Sequence, residues 1–251
     1  MNHGFLRKRS LKLVPRLTNH FQEMTPFLRT LGPTGATLLL ALNAHAADLD
    51  GYEPDLEIGE EINQVSAGCH GEFAQGTKDG EYPRLAGQPA GYLERQLILF
   101  RERKRPNIPM LEHIQERQMP ASEVKDISAY IASIELPTKM PAIDESSYDP
   151  LKRLLLAKKT INIPRAEGDI EAGRKQYRME CGSCHGRGGE GDDKYNVPML
   201  SGQYTEYLWR QVEKFREGIL IHDPDDPEFR LLSLFTDEEI RDMFAWLSVA
   251  D

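Results

Sequence analysis

The sequence predicts an all-α fold made of two tandem copies of one domain. Displaced by 115 residues, the chain meets itself: Cys69-His70-Gly71 falls on Cys184-His185-Gly186, and Pro83, Leu85, Gly87 and Gln88 fall on Pro198, Leu200, Gly202 and Gln203. Tyr92, Leu93, Arg95 and Gln96 fall on Tyr207, Leu208, Arg210 and Gln211, and Phe100-Arg101-Glu102 on Phe215-Arg216-Glu217. Chance does not hold a gapless register over about thirty positions, so the chain carries an internal repeat. The second observation is helical spacing, as in Tyr92, Gln96, Leu99 and in Val124, Ile127, Ile131. Little in the chain suggests strands.

Each copy follows one plan. A short helix leads into the Cys-His-Gly residues, a glycine-rich loop follows, and then a P-x-L-x-G-Q run. A helix is expected near 89–103 and again near 204–217. With one residue added, the register resumes in a last helix, near 121–135 and 236–249, where Glu123, Asp126 and Ala129 fall on Glu239, Asp242 and Ala245. Thr236 followed by Glu239 is a capping-box start for that helix. The expected boundaries are 47–136 for the first domain, 137–166 for a linker and 167–251 for the second domain. The linker holds Pro137, Pro141, Pro150 and Pro164, and residues 149–159 have the pattern of one amphipathic helix. That helix is expected to pack over the domain interface; the alternative is a basic docking surface made by Lys152, Arg153, Lys158 and Lys159.

Residues 1–46 read as a signal peptide. Arg7, Lys8, Arg9, Lys12, Arg16 and Arg29 precede the short apolar run 36–42, and Ala44-His45-Ala46 offers a cleavage site. The run is too short to span a bilayer, so no membrane span is expected in the mature chain. Losing six basic residues and one acidic residue takes the net charge from −9 to −14. Such an acidic protein does not suggest nucleic acid as a partner; the charge suits steering toward a basic face on another protein, or serves solubility alone. Exported, it would be periplasmic.

Chemistry concentrates at Cys181-Gly182-Ser183-Cys184-His185. Two cysteines two residues apart, with histidine next, is the attachment signature for c-type haem: two thiols take its vinyl groups and the imidazole takes its iron. A zinc site would need further thiolate or imidazole ligands at matching spacing, and Cys69 is the only other cysteine. With Cys181 and Cys184 claimed, no disulfide framework is implied. No nucleotide-binding glycine motif, nucleophile elbow or zinc-protease helix appears.

The CxxCH run, the Pro-Arg-Leu-Ala-Gly-Gln run at 83–88, the helix after it and the terminal helices ending near Tyr130 and Trp246 carry a resemblance. The chain resembles the tandem dihaem class I cytochromes c, including the dihaem subunit of flavocytochrome c sulfide dehydrogenase. The resemblance covers most of residues 55–251. It implies two class I cytochrome c domains whose first and last helices cross, with Gly173 allowing close approach near Trp246. It also implies that the carbonyls of Pro83 and Pro198 accept the N–H of the proximal histidines, and that each loop before the last helix supplies a distal methionine.

The first copy departs from this pattern, because Ser66 stands where a cysteine is expected. The expectation is a haem held through a single thioether by Cys69, with His70 on the iron; a haemless domain and a noncovalent haem are the alternatives. Met110 is the expected distal ligand there, ahead of His113 and Met119. The second copy has no methionine in the matching loop. His222 is therefore paired with His185, the alternatives being Met199 or an open sixth position. The expected function is one-electron transfer by haem c, not catalysis. Redox proteins such as a dehydrogenase or terminal oxidase are the expected partners. A fixed subunit of a dehydrogenase complex, and a haem protein with an open iron site for catalysis or gas binding, are the rival readings.

Overall fold

The computed structural model describes residues 51–222 and 227–250, so the expected signal peptide lies outside the described residues. Among those described, the fold is helical: α1 Leu56–His70, α2 Ala90–Arg101, α3 Ile108–Leu111, α4 Ala121–Ser133, α5 Pro150–Lys159, α6 Ile170–Glu180, α7 Gly182–His185, α8 Thr205–Arg216 and α9 Asp237–Leu247. The only extended pairing among them is an isolated bridge between Asp192 and Val197. No helix there is long and apolar enough to cross a membrane.

The two halves repeat one architecture, α1–α4 and α6–α9, as the 115-residue register requires. Asp55 caps α1 by accepting from the N–H groups of Glu57 and Ile58, and Asp169 caps α6 in the same way. The last helix then seizes the start of the first. Asp126 Oδ1 accepts the Asp55 N–H at 2.8 Å, and Asp242 Oδ1 accepts the Asp169 N–H at 2.8 Å. Sequence spacing aligned these two aspartates without revealing that task. The expected capping box at Thr236 and Glu239 is present.

The crossing of α1 with α4, and of α6 with α9, depends on a missing side chain. A Cβ on Gly59 would stand 2.4 Å from the Asp126 carbonyl oxygen, and one on Gly173 would stand 1.9 Å from that of Asp242. Gly173 thus lies over Asp242 and Met243, one turn before the expected neighbour Trp246. Trp246 instead meets Tyr177, their ring centroids 4.7 Å apart, because Tyr177 is the next inward residue along α6. Around each crossing lies a core: Leu93, Ile127 and Ile131 in the first half, and Tyr177, Leu208, Ile240 and Phe244 in the second.

A half-buried arginine fixes the loop before each last helix. Arg101 Nε donates to the Ile114 carbonyl at 2.7 Å and Arg216 Nε to that of Leu232 at 3.1 Å. Their second arms reach the carbonyls of Met119 and Phe235. The guanidinium forks replace the regular backbone pairing that these irregular loops lack.

The halves meet through the P-x-L-x-G-Q runs. Gln88 of the first half bonds both polar groups of Met199, accepting its N–H at 3.0 Å and donating to its carbonyl at 2.9 Å. Gln203 of the second half does the same to Arg84, at 2.9 Å each way. Since Gln88 corresponds to Gln203 and Arg84 to Met199, the junction has the reciprocity of a two-fold interface.

The linker departs from expectation. Its helix α5 forms, but Leu151, Leu154 and Leu155 are 65%, 57% and 51% exposed rather than packed over the interface. The face turned inward carries Arg153, bonded to the Pro141 carbonyl, and Thr160, whose hydroxyl lies 3.1 Å from Met140 Sδ. Beyond the helix, Ile161 donates its N–H to Pro137 at 2.9 Å and joins the core of the first half with Ala74 and Ala86.

Candidate functional site

In the second half, α6 ends at Glu180 and the chain breaks at Cys181, at φ −116° and ψ −30°, before the single turn α7. The break sets Cys181 and Cys184 on either side of a turn that His185 closes. Cys184 is exposed and Cys181 half-buried, with burial first and then Glu180 and Cys184 pushing the Cys181 thiol up to about 11. Gly186 follows at φ +81°, turning the chain away from the imidazole where a Cβ would strike the Glu190 side chain.

His185 Nδ1 stands 2.9 Å from the Pro198 carbonyl oxygen. A carbonyl can only accept, so Nδ1 carries the proton and Nε2 keeps a lone pair for a metal. This is the bond the resemblance implied. Burial lowers the His185 pKa, the Pro198 carbonyl opposes that effect, and His222 adds to it. The His222 ring lies 6.1 Å from the His185 ring, centroid to centroid, at an interplanar angle of 52°. Phe215 from α8 meets the same His222 ring edge-on at 5.4 Å. Met199, the alternative partner, is held by its backbone in the domain junction, with Cε toward Gly87 of the other half.

The first half has the same frame with fewer donors. α1 runs unbroken to His70, carrying Ser66 and Cys69 on its last turns. The Ser66 hydroxyl is engaged by the Asn63 carbonyl at 3.0 Å. Cys69 is exposed. His70 is buried, which lowers its pKa against the opposing effect of the Pro83 carbonyl, yet Nδ1 makes no hydrogen bond of ordinary geometry. The Tyr82 ring stands edge-on to it at 5.6 Å. Met110 is half-buried in α3, its N–H directed at Asn107 Oδ1, whereas Met119 packs against the core of this half.

These residues fit a covalently held haem. The second half supplies two thiols, an imidazole with its proton already placed, and a second imidazole across from it. The first half supplies one thiol and one buried imidazole whose Nδ1 is orphaned. A CxxCH turn of this geometry within a helical frame defines a c-type cytochrome.

A family model for cytochrome c matches residues 170–250. The thiosulfate dehydrogenase electron acceptor of Stutzerimonas stutzeri (strain A1501) is 30% identical, over 82% of this chain and 88% of its own. Cytochrome c4 of Thiocapsa roseopersicina is 32% identical, over 74% of this chain and 88% of its own. Among solved structures, reduced recombinant cytochrome c4 from Pseudomonas stutzeri superposes with a TM-score of 0.59 at 22% identity, over 79% of this chain and 100% of that one. Thiosulfate dehydrogenase (TsdBA) from Marichromatium purpuratum also gives 0.59 at 22% identity, over 78% of this chain but 40% of that one. The chain belongs to the tandem dihaem class I cytochromes c. It is an electron-transfer protein bearing covalently bound haem c, and a redox partner rather than a catalyst.

Proposed function

We propose that this chain is a periplasmic two-haem electron carrier that accepts electrons from a dehydrogenase acting on a sulfur compound. In this reading the second half holds haem through Cys181 and Cys184, with His185 and His222 on the iron. The first half holds haem through Cys69 alone, with His70 and Met110 on the iron. When bound, haem supplies a one-electron Fe(III)/Fe(II) couple. The chain's own residues fix ligand orientation, exclude water and set the spacing.

The observation that carries the ligand reading is the 6.1 Å separation of the His185 and His222 rings. Two imidazoles joined through nitrogen to opposite sides of one metal, at about 2 Å each, have centroids roughly 6 Å apart. Support for the donor comes from the 30% identical relative named as an electron acceptor of thiosulfate dehydrogenase. The basic run and the Ala44-His45-Ala46 site support export.

Intact mass of the mature protein beside a pyridine haemochrome assay tests the haem count. The expected result is two haems per chain and cleavage after Ala46; one haem would overturn the single-thioether reading of the first half. Replacing His222 by methionine tests the ligand pair. The potential of the second haem should rise by on the order of 0.1–0.2 V, within the ~0.8 V range that axial ligands span. His222→Ala should open that iron to carbon monoxide. An unchanged spectrum in both variants would remove His222 from the site.

A further inference from the structure

One peptide unit lies between the proximal histidine of the second half and a side chain of the first. The Pro198 carbonyl accepts the His185 Nδ1 proton at 2.9 Å. The N–H of the same peptide, belonging to Met199, donates to Gln88 Oε1 at 3.0 Å. Gln88 also donates to the Met199 carbonyl at 2.9 Å, and it is only 3% exposed. The pseudo-symmetric counterpart runs the other way. The Arg84 N–H, on the peptide that carries the Pro83 carbonyl, donates at 2.9 Å to Gln203 Oε1, on a side chain 5% exposed. Pro83 faces His70, where the last bond, at Nδ1, is not closed.

We infer that Gln88 is a positioning residue acting across the junction, setting the hydrogen bond on the proximal histidine of the opposite domain, while its counterpart Gln203 reaches only the peptide of Pro83. The physical reason is the conjugation of the peptide. An acceptor on its N–H moves negative charge onto its carbonyl oxygen, and hydrogen bonds in series strengthen one another where water is excluded. A more negative Pro198 oxygen draws harder on the Nδ1 proton of His185, makes the ring a more basic ligand, and favours Fe(III). The second domain's potential is therefore tuned from the first, and separating the halves would remove the tuning. The chain of bonds is complete toward His185 and one bond short toward His70, so Gln88 has the larger effect.

This inference rests on reading His185 as the proximal ligand, and the experiment separates the two. In the ferric wild-type holoprotein, paramagnetically shifted ring resonances of His185 establish ligation; their absence would refute the ligand reading itself. Given ligation, Gln88→Leu should raise the potential of the second haem while leaving any first-domain haem unmoved. The Nδ1 proton of His185 should exchange with deuterium at least 10-fold faster. Gln203→Leu should leave both the His185 proton and the second haem's potential unchanged. Gln88→Glu, which keeps the acceptor and so covers the case of a poorly folding leucine variant, should lower the potential and keep the His185 proton protected. Equal shifts in both domains would show a merely loosened interface and overturn the inference. So would an unchanged second-domain potential in Gln88→Leu, or an unprotected His185 proton in Gln88→Glu.

Discussion

Gly173→Ala should destabilise the second half by about 3 kcal/mol or more, at the upper end of what overpacking costs. In an open helix the same change would stabilise by roughly 1 kcal/mol, since alanine is the better helix former. The sign reverses here because the new Cβ would lie 1.9 Å from the Asp242 carbonyl oxygen and 2.7 Å from the Met243 nitrogen. Both are backbone atoms inside α9, so neither can swing aside. α9 would have to lift, separating Tyr177 from Trp246 and straining the bond from Asp169 to Asp242. Gly68 is the internal control, a glycine on α1 with nothing within 4 Å of its would-be Cβ. Urea unfolding of Gly173→Ala and Gly68→Ala should show shifts of opposite sign. A Gly173→Ala protein as stable as the wild type would refute this account of the helix crossing.

Arg105→Leu should break the cooperation between the two halves. The Arg105 fork donates to Gln96 Oε1 at 2.6 Å within its own half, and to Tyr207 Oη and Gln211 Oε1 at 3.0 Å each in the other. Its guanidinium also stands 4.7 Å from the centre of the Phe100 ring. Tyr92 belongs to the same cluster, its phenol pushed up to about 12, chiefly by burial with a contribution from Tyr207 and against the pull of Arg105. Tyr92 and Gln96 are the repeat counterparts of Tyr207 and Gln211, so one guanidinium serves matching residues from both copies. Continuing the same register, the second copy has Leu220 where the first has Arg105. Leucine at 105 would strand several half-buried oxygens, at a cost of about 1–3 kcal/mol for each that water does not reach. A loss of about 2–4 kcal/mol is expected, with a single calorimetric transition resolving into two. Arg105→Lys should recover only part of this, because an ammonium cannot reach the fork's acceptors together. One unsplit transition in Arg105→Leu would show that this guanidinium is not what couples the two halves.

Much of the fold is legible in the sequence because helical spacing and the repeat report the same physics twice. The helices expected near 89–103 and 204–217 appear as Ala90–Arg101 and Thr205–Arg216, and the last helices as Ala121–Ser133 and Asp237–Leu247. The bond from Pro198 to His185 was implied by resemblance and is present. What the sequence hides is the direction of contacts. A glutamine shared by two copies does not reveal that it bonds the other copy rather than its own. Gly173 is visibly a close-approach position, but its partner turn depends on how far α6 slides along α9, which no spacing records. The linker misleads for another reason. Leu151, Leu154 and Leu155 have the period of a buried stripe, yet Arg153 and Thr160 find backbone and sulfur partners and share the inner face with Leu156.

Ile161 also bears on the order in which the chain can fold. Its side chain, only 2% exposed, fills the core of the first half although twenty-seven residues separate it from the last helix of that half. A chain emerging residue by residue would have α1 to α4 in hand and still lack a wall of their core. The first half closes only after α5 has followed and the segment beyond it has turned back. A fragment ending at Leu136 would lack both Ile161 and Ile163 from that core, and the earliest product holding all of it would end at or beyond Ile163. The core of the first half is thus completed from a segment that the chain reaches just before the second half begins.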